Sequence, residues 1–478
     1  MELKKVDVAV IGAGTAGMTA YRAAREYTNS VLVIESGVYG TTCARVGCMP
    51  SKLLIAAAEI SHQIDYSAQF GIDVKVKSID GRRVMDRVKA ERDRFVGFVE
   101  EAVESWPTEH KLIGKAVFTG ANELQVDGHT KVIAKRIVIA AGSRPMVPGP
   151  WYELGDRLLI NDDVFLWDDL PESIAVVGTG VIGMEISQAL ARLGVKTHLL
   201  GVGDKFGPLS DPRLNRVMKD VFDSELQLSS DAMVKSVART ETGVELSYLE
   251  NGELHAGQYD YLLAATGRRS NLDGLNLVAA GIELDERGVP DFDDATGQVA
   301  DSHIFIAGDV SDAHPLLHEA ADDGKIAGDN AGRYPEIRVR PRRAPLSVVF
   351  TDPQIMMAGA TFDELTESGV KFSVGENSFE DQGRSRVIAK NKGFIRVFAQ
   401  QQTGVFLGAE MVGPAAEHIG HLLSWSVQHR LTVQQMLDSP FYHPVIEEGL
   451  RTALRQLMRE LKMGPVPVEH CLDCGPGG

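Results

Sequence analysis

The chain has 478 residues, 44% of them hydrophobic, and a formal net charge of −17. That length suffices for about three domains, each with its own core. The acidic balance argues against nucleic acid or an anionic membrane as a partner, and no apolar run approaches the ~18 residues of a membrane span.

The N-terminus carries two lysines ahead of an apolar run, which superficially suggests a secretory leader. The run leads directly into a glycine-rich turn and has no cleavage pattern, so we expect it to be the first β-strand of a cytoplasmic protein. The four cysteines form two close pairs, as suits a reducing compartment in which thiols serve chemistry.

The first part of the chain has a pattern typical of dinucleotide binding. The apolar run at 6–11 predicts a strand, and a turn with Gly12, Gly14 and Gly17 follows it and opens a predicted helix. Bare N–H groups and the helix dipole at such a turn bind a pyrophosphate. The next predicted strand ends in Glu35, an acid suited to a ribose hydroxyl.

A pair of cysteines, Cys43 and Cys48, comes next, with four residues between them. Two such thiols can close a small, strained and readily reduced disulfide, although two buried apolar thiols are the commoner fate of intracellular cysteine. A predicted helix follows, and a helix N-terminus stabilises a thiolate. The position directly after a nucleotide-binding pattern favours a redox pair.

A charged stretch at 80–106 predicts a long helix with Val84, Val88, Phe95 and Phe98 as candidate core positions. A buried strand and several prolines then mark a domain boundary near residue 150.

The nucleotide-binding pattern is repeated in the second part of the chain. Predicted strands at 174–177 and 196–200 flank a turn and helix that contain Gly178, Gly180 and Gly183. One glycine-rich turn is a weak signal, but two copies, each after a buried strand and before a helix, indicate two dinucleotide sites.

The second copy lacks the acid of the first. Glu35 follows Gly17 by 18 residues, and the same offset from Gly183 falls on Gly201. The next residues supply no arginine for a 2′-phosphate, and Asp204 would repel one, so the pattern favours NAD over NADP without deciding between them.

Together these motifs resemble the pyridine nucleotide-disulphide oxidoreductase family, most closely its dihydrolipoamide-oxidising members. The resemblance implies an α/β fold with two Rossmann-like FAD- and NAD(P)-binding domains plus an α+β dimerisation domain. The expected bounds are 1–150 for the FAD-binding domain, 151–274 for the NAD-binding domain, 275–345 for a central segment that returns to the FAD domain, 346–463 for the dimerisation domain and 464–478 for a flexible tail.

The resemblance also implies roles for individual residues. Cys48 would face the flavin and Cys43 would exchange with substrate, while Lys52 and Glu185 would form an ion pair near the flavin's reactive nitrogen. No metal site is expected. The expected FAD-binding residues are Gly12, Gly14, Gly17, Glu35, Ser36, Lys52, Gly114, Ala116, Ala141, Gly142, Ser143 and Asp309, and the expected NAD-binding residues are Gly178, Gly180, Gly183, Glu185 and Gly267.

Near the C-terminus, His443 is followed by Pro444 and then by Glu448, which matches the family's His-Pro-x-x-x-Glu pattern. Imidazole is the base whose ordinary pKa lies near working pH, and Glu448 would orient it and favour its protonated form. In the family this dyad reaches the cysteines of the other subunit, so we expect an obligate homodimer.

The resemblance implies oxidation of protein-bound dihydrolipoamide to lipoamide with reduction of NAD+. The expected partners are the lipoyl domains of a 2-oxoacid dehydrogenase or glycine-cleavage complex.

Several departures from the family pattern leave alternatives open. Ala44 and Arg45 replace the usual Leu-Asn, residues 350–354 resemble mercuric reductases, and the tail carries Cys471 and Cys474. One alternative is an NAD(P)H-dependent reductase of a disulfide or metal ion that uses the tail pair. Another is a flavin-binding redox sensor with little turnover, which would have no need of two cysteines and a His-Glu dyad.

Overall fold

The computed structural model describes residues 2–75 and 77–462, which form two compact units. The first contains 2–75, 77–178, 189–197 and 234–342, and the second contains 179–188, 198–233 and 343–462. Within these described ranges, every helix is too short or too polar to cross a membrane.

The structure alternates strands and helices along most of its length. The helices of the described residues are α1 (Thr15–Ala24), α2 (Thr42–Val46), α3 (Cys48–Asp65), α4 (Gly81–Glu104), α5 (Asn161–Val164), α6 (Val181–Arg192), α7 (Pro212–Glu225), α8 (Leu317–Arg333), α9 (Phe362–Glu367), α10 (Gly383–Val387), α11 (Ala416–Gln428), α12 (Val433–Leu437) and α13 (Glu447–Glu460). The strands are β1 (Glu2–Ile11), β2 (Val31–Glu35), β3 (Lys111–Ile113), β4 (Ala116–Gly120), β5 (Glu123–Val126), β6 (Thr130–Ile139), β7 (Ser143–Pro145), β8 (Leu158–Leu159), β9 (Ser173–Val177), β10 (Lys196–Leu200), β11 (Gln227–Ser229), β12 (Ala232–Arg239), β13 (Val244–Glu250), β14 (Glu253–Tyr259), β15 (Tyr261–Ala264), β16 (Arg268–Ser270), β17 (Ile304–Ile306), β18 (Leu346–Val349), β19 (Gln354–Gly359), β20 (Phe372–Ser378), β21 (Phe394–Gln400) and β22 (Phe406–Gly413).

The largest sheet of the first unit has the order β3-β2-β1-β6-β5-β4, with β17 also paired to β6. β1 runs parallel to both β2 and β6. Val8 and Val10 face one core, where alanines of α1 and α8 also pack, while Ala9 and Ile11 face another. Because both faces are covered there, the buried end of the strand, 8–11, is a continuous apolar run rather than an alternating one, and the strand predicted at 6–11 is confirmed.

The segment after residue 275 returns to this sheet. In the pairing of β17 with β6, Ile304 lies opposite Ile137 and Phe305 lies opposite Val138. Three apolar residues of β17 are fully buried there. A strand of the third segment therefore joins the sheet that contains β1 and β6, and the turn after β17 lies at the carboxyl end of β6.

The repeated pattern also forms its predicted elements. In the first unit β15 runs parallel to β9 and to β8, and in the second unit β10 runs parallel to β11. The strands predicted at 174–177 and 196–200 correspond to β9 and β10.

The C-terminal part of the second unit is an antiparallel sheet in the order β18-β19-β22-β21-β20. Helices α11 and α13 pack on it, and Ile419 and Leu454 share a buried core with Met356, Ile395 and Met411. This is the α+β architecture expected for the last domain, beside the parallel α/β sheets expected for the first two.

One core prediction was wrong. Val88 on α4 is buried, but Phe98 is 55% exposed and lies near the Arg94 guanidinium. Ten residues of helix place Phe98 about 80° from Val88, on the side away from the other buried positions, Met85 and Val103.

Candidate active site

The first glycine-rich turn brings backbone groups into contacts that exclude side chains. Gly12 has φ +105°, and a Cβ there would lie 2.3 Å from the carbonyl oxygen of Ala140. A Cβ on Gly17 would lie 1.9 Å from the carbonyl oxygen of Gly12, because α1 packs directly on the turn. A Cβ on Gly14 would meet no described atom within 4 Å. The turn is therefore closely packed on its inner side and open above the first residues of α1.

The amide groups around this turn make an anion-binding arrangement. Among the described residues no side chain caps α1, so its N-terminal N–H groups are directed at the open side. Glu35 Oε2 accepts a hydrogen bond from Ala13 N (2.7 Å), and Oε1 accepts one from Gly37 N (2.9 Å). The Glu35 carbonyl accepts from Gly114 N (2.8 Å), which joins the ends of β2 and β3.

Asp309 lies in the turn after β17. Its Oδ2 accepts a hydrogen bond from Ser143 Oγ (3.1 Å), and that hydroxyl accepts one from Arg268 Nε (2.8 Å). Ala141 and Gly142 precede Ser143 in the turn after β6. The structure thus joins Asp309 and Ser143, two predicted flavin-binding residues that are 166 positions apart in the chain.

The remaining predicted cofactor residues are placed individually. Ser36 is exposed after β2, and Ala116 is buried in β4. Gly183 lies in α6, and Gly267, with φ +110°, follows β15.

The two cysteines lie at consecutive helices. Cys43 is in α2 and is partly buried, while Cys48 begins α3 and is exposed. Both are free thiols. The pKa of the Cys43 thiol is raised, mainly by a hydrogen bond to Cys48 and secondly by burial. The two side chains therefore lie within hydrogen-bond reach of each other. The raised pKa favours the protonated form of Cys43 while both sulfurs are reduced.

Sequence reasoning missed Asn161, the first residue of α5. Its buried side chain donates from Nδ2 to the carbonyl oxygen of Val46 (2.9 Å) and so tethers the C-terminal end of α2, between the two cysteines. The neighbouring Asp162 is also engaged: burial raises its pKa, and the charges of Arg268 and Arg45 oppose that rise. Arg45 is one of the residues that depart from the family pattern. The only sequence signal for this tether was a polar residue at a helix start.

The second glycine-rich turn has the same inner contact as the first. Gly178 has φ +123°, and a Cβ there would lie 2.1 Å from the carbonyl oxygen of Ala265. A Cβ on Gly180 would meet no described atom within 4 Å. Among the described residues this turn therefore also leaves open backbone at Gly180, as a pyrophosphate site requires.

Glu185 and Lys52 lie on α6 and α3 respectively. The Glu185 carboxylate is buried, and its Oε1 accepts a hydrogen bond from Phe350 N (2.9 Å). The ion pair between Glu185 and Lys52 stays a prediction.

The predicted dyad near the C-terminus is present. His443 Nδ1 lies 3.0 Å from both carboxylate oxygens of Glu448, and Glu448 Oε2 also accepts from Val445 N (3.2 Å). The hydrogen bond to His443 lowers the pKa of Glu448. The His443 side chain is 81% exposed. Because the ionised carboxylate accepts a hydrogen bond from Nδ1–H, the exposed Nε2 is left to act as a base.

Cys471 and Cys474 lie outside the described residues. Within the described ranges no three His, Cys, Asp or Glu side chains are grouped as metal ligands would be.

Comparison with known families gives two matches. The profile described as pyridine nucleotide-disulphide oxidoreductase matches residues 6–324, and the dimerisation domain of that family matches residues 346–454. Together they cover the two glycine-rich turns, the cysteine pair and the His443–Glu448 dyad.

Individual relatives are similar over almost their full length. The dihydrolipoyl dehydrogenase of Geobacillus stearothermophilus is 28% identical over 448 residues, covering 93% of this chain and 94% of that one. LpdA from Mycobacterium tuberculosis is 25% identical, with a TM-score of 0.81 and coverage of 95% of this chain and 100% of its own. The HOCl-induced flavoprotein disulfide reductase RclA from Escherichia coli has a TM-score of 0.79 at 23% identity, again with 95% and 100% coverage. At that identity the likeness to RclA concerns the fold alone.

Proposed function

The chain belongs to the pyridine nucleotide-disulphide oxidoreductase family, and on that premise we propose that it is a dihydrolipoyl dehydrogenase, which oxidises protein-bound dihydrolipoamide to lipoamide and reduces NAD+. The observation that carries the proposal is the His443–Glu448 dyad, with Nδ1 held 3.0 Å from the carboxylate and the imidazole exposed. A dithiol substrate must lose protons before its sulfur can attack a disulfide, and this dyad is built to accept them.

FAD fits the first glycine-rich turn. The open space above Gly14, the uncapped N-terminus of α1 and the fixed carboxylate of Glu35 match a pyrophosphate and a ribose, while Asp309 and Ser143 offer polar groups to the rest of the cofactor. FAD, when bound, supplies the two-electron acceptor between the thiol pair and NAD+.

The chain's own residues carry the thiol chemistry. With the pair oxidised, a substrate thiolate attacks Cys43 Sγ, the Cys43–Cys48 bond breaks, and the electron pair leaves with Cys48 Sγ. The second substrate sulfur then displaces Cys43 and closes the lipoamide disulfide. Both enzyme sulfurs are now reduced, and the structure holds the pair in this free-thiol form.

His443 removes the substrate's thiol proton through Nε2. The ionised Glu448 fixes the ring through Nδ1 and stabilises the imidazolium that forms. By family resemblance the dyad of one subunit serves the cysteines of the other, so we propose a homodimer built through the matched dimerisation domain.

Several finer assignments belong to the same proposal. The domain bounds predicted from the sequence, the Lys52–Glu185 ion pair and the cofactor-binding residues are proposed on the resemblance together with the placements described above. The proposed partners are lipoyl domains of a 2-oxoacid dehydrogenase or glycine-cleavage complex, in keeping with the names of the relatives.

The proposal is tested by His443→Gln, with His418→Gln as the matched control because His418 is also exposed in the second unit. We expect the parent to reduce NAD+ with dihydrolipoamide, and His443→Gln to lose roughly 10²–10⁴-fold of that turnover. NADH oxidation by ferricyanide, which needs no dithiol, should persist in both variants. A parent without dithiol turnover, or a His443→Gln variant as fast as His418→Gln, would refute the proposal.

A further inference from the structure

The two glycine-rich turns differ in which of two neighbouring positions carries the larger side chain. In the first, Ala13 follows the first glycine, and the acid Glu35 at the end of β2 bonds to its backbone N–H. In the second, the residue after the first glycine is Thr179, and the position at the end of β10 is Gly201. The first turn thus pairs a small residue, Ala13, with a large one, Glu35, whereas the second pairs the larger Thr179 with a glycine that has no side chain.

Gly201 is held as glycine by local packing. A Cβ there would lie 2.5 Å from Thr179 Cγ2, 2.7 Å from Thr179 Oγ1 and 3.2 Å from the Ser230 carbonyl oxygen. Thr179 is buried and fixed, since its Oγ1 donates to the Lys205 carbonyl (2.6 Å) and its own carbonyl accepts from Gly207 N (2.8 Å). An acid at 201 is therefore excluded by structure as well as absent from the sequence.

The loop beyond Gly201 carries a carboxylate in a fixed position. Asp204 has φ +51°, and its backbone N–H donates to the Ser230 carbonyl (3.2 Å). Its Oδ1 accepts from Ser230 Oγ (2.5 Å) and from Lys219 Nζ (2.7 Å). The hydrogen bonds to Lys219 and Ser230 lower the pKa of Asp204, so the group stays ionised.

Asp204 keeps an oxygen for a ligand. Both contacts named above fall on Oδ1, the side chain is 52% exposed, and among the described residues none is seen to donate to Oδ2. The hydrogen bond from Gly203 N to Asp231 Oδ1 (2.8 Å) holds the same loop from the other side. Oδ1 thus fixes the position of the carboxylate, and Oδ2 is left to accept a hydrogen bond from a ligand.

We propose that Asp204, three residues beyond the position of the missing acid, selects the coenzyme: its Oδ2 accepts a hydrogen bond from the adenosine ribose of NAD and repels the 2′-phosphate of NADP. The inference deepens the proposed NAD+-dependent function and rests on it. The packing of Thr179 against Gly201 leaves no room for an acid at the strand end, and Asp204 is the carboxylate that the following loop offers instead.

The test measures kcat/KM for NADH and for NADPH with ferricyanide as acceptor, so that it does not depend on the dithiol substrate. Asp204→Asn should lower the NADH/NADPH ratio about tenfold or more, because a charged acceptor and a repulsion are both removed. Asp204→Glu should keep most of the ratio. Asp220→Asn, which removes an equal charge from an exposed position on α7, should leave the ratio unchanged.

A ratio within about twofold of the parent in Asp204→Asn would overturn the proposal, as would an equal fall in Asp220→Asn. A parent that oxidises NADH with ferricyanide but fails with dihydrolipoamide would refute the proposed substrate while leaving this inference standing. Folding of each variant is checked by its bound flavin and its thermal unfolding before the ratio is compared.

Discussion

The two glycine-rich turns share their backbone contacts and differ in the side chains around them. The first glycine of each turn, Gly12 or Gly178, has a positive φ angle. A Cβ on it would lie only 2.3 Å (Gly12) or 2.1 Å (Gly178) from a carbonyl oxygen just after the neighbouring strand. After that glycine the turns diverge: Ala13 lies beside Glu35, whereas Thr179 lies beside Gly201.

The difference separates two requirements of nucleotide binding. Approach of the turn to the neighbouring strand is a backbone requirement, and both copies meet it in the same way. Recognition of the ribose is a side-chain requirement, and it can move along the loop once packing fills the usual position. Two copies of a nucleotide-binding pattern can therefore share their glycines and still differ in how they recognise the ribose.

The largest effect is expected from the shared contact. Gly12→Ala and Gly178→Ala should each cost roughly 2–4 kcal/mol, because the methyl group meets a carbonyl oxygen and the residue is confined to positive φ. Thermal unfolding measures the loss, with Gly128→Ala as a control for positive φ without crowding, since a Cβ there meets no described atom within 4 Å. If only one of the two turns were sensitive, their equivalence would be disproved.

Removal of the first acid should be the next largest effect. Glu35→Gln loses the charge that accepts from Ala13 N and Gly37 N, and flavin retention should weaken about tenfold. Equilibrium dialysis followed by flavin fluorescence measures it, beside Glu26→Gln, a change of the same kind at an exposed residue after α1. Equal retention in the two variants would contradict a role for Glu35 at the ribose.

The packing pair of the second turn should show coupling. Gly201→Ala should cost about 1–3 kcal/mol because its Cβ overlaps Thr179, and Thr179→Ala should relieve most of that cost when combined with it. Denaturant unfolding of the four members of the cycle gives the coupling energy. Additive costs would show that Thr179 is not what excludes a side chain at 201.

The smallest effect concerns acid stability in the same loop. The hydrogen bond to Lys219 lowers the pKa of Asp204 in the folded protein, so the pair contributes stability above the ordinary carboxyl pKa of 3.8 and loses it as the pH falls through the lowered value. Because both side chains are well exposed, that contribution should be roughly 0.2–1 kcal/mol. Urea unfolding of the parent and of Asp204→Asn should differ at about pH 6 and converge at about pH 2; a difference that persists at low pH would contradict this cause.

Features local to a few residues could be predicted from the sequence. The strands β1, β2, β9 and β10, the glycines of both turns and the dyad of His443 and Glu448 are patterns of short span, and each is present in the structure. The family resemblance added that the segment after residue 275 returns to the first domain and that Asp309 and Ser143 serve the same cofactor, while the pairing of β17 with β6 and the hydrogen bond between those two residues came from the structure.

Features that depend on distant packing could not be predicted. Asn161 bonds to the carbonyl of Val46, 115 residues away, and nothing local to either residue indicates it. The absence of an acid at Gly201 was visible, but its cause, the side chain of Thr179, required the fold. Phe98 shows the converse case, in which a helical period alone placed an exposed residue in the core.

The central claim is that electrons from a dithiol substrate reach NAD+ through the thiol pair of this chain. The most direct measurement is the rate of NADH formation by the purified flavoprotein with dihydrolipoamide and NAD+, beside NADP+ in parallel and beside Cys43→Ser. We predict turnover with NAD+, a rate at least about tenfold lower with NADP+, and none with Cys43→Ser. No turnover in the parent, or turnover that survives Cys43→Ser, would contradict the account.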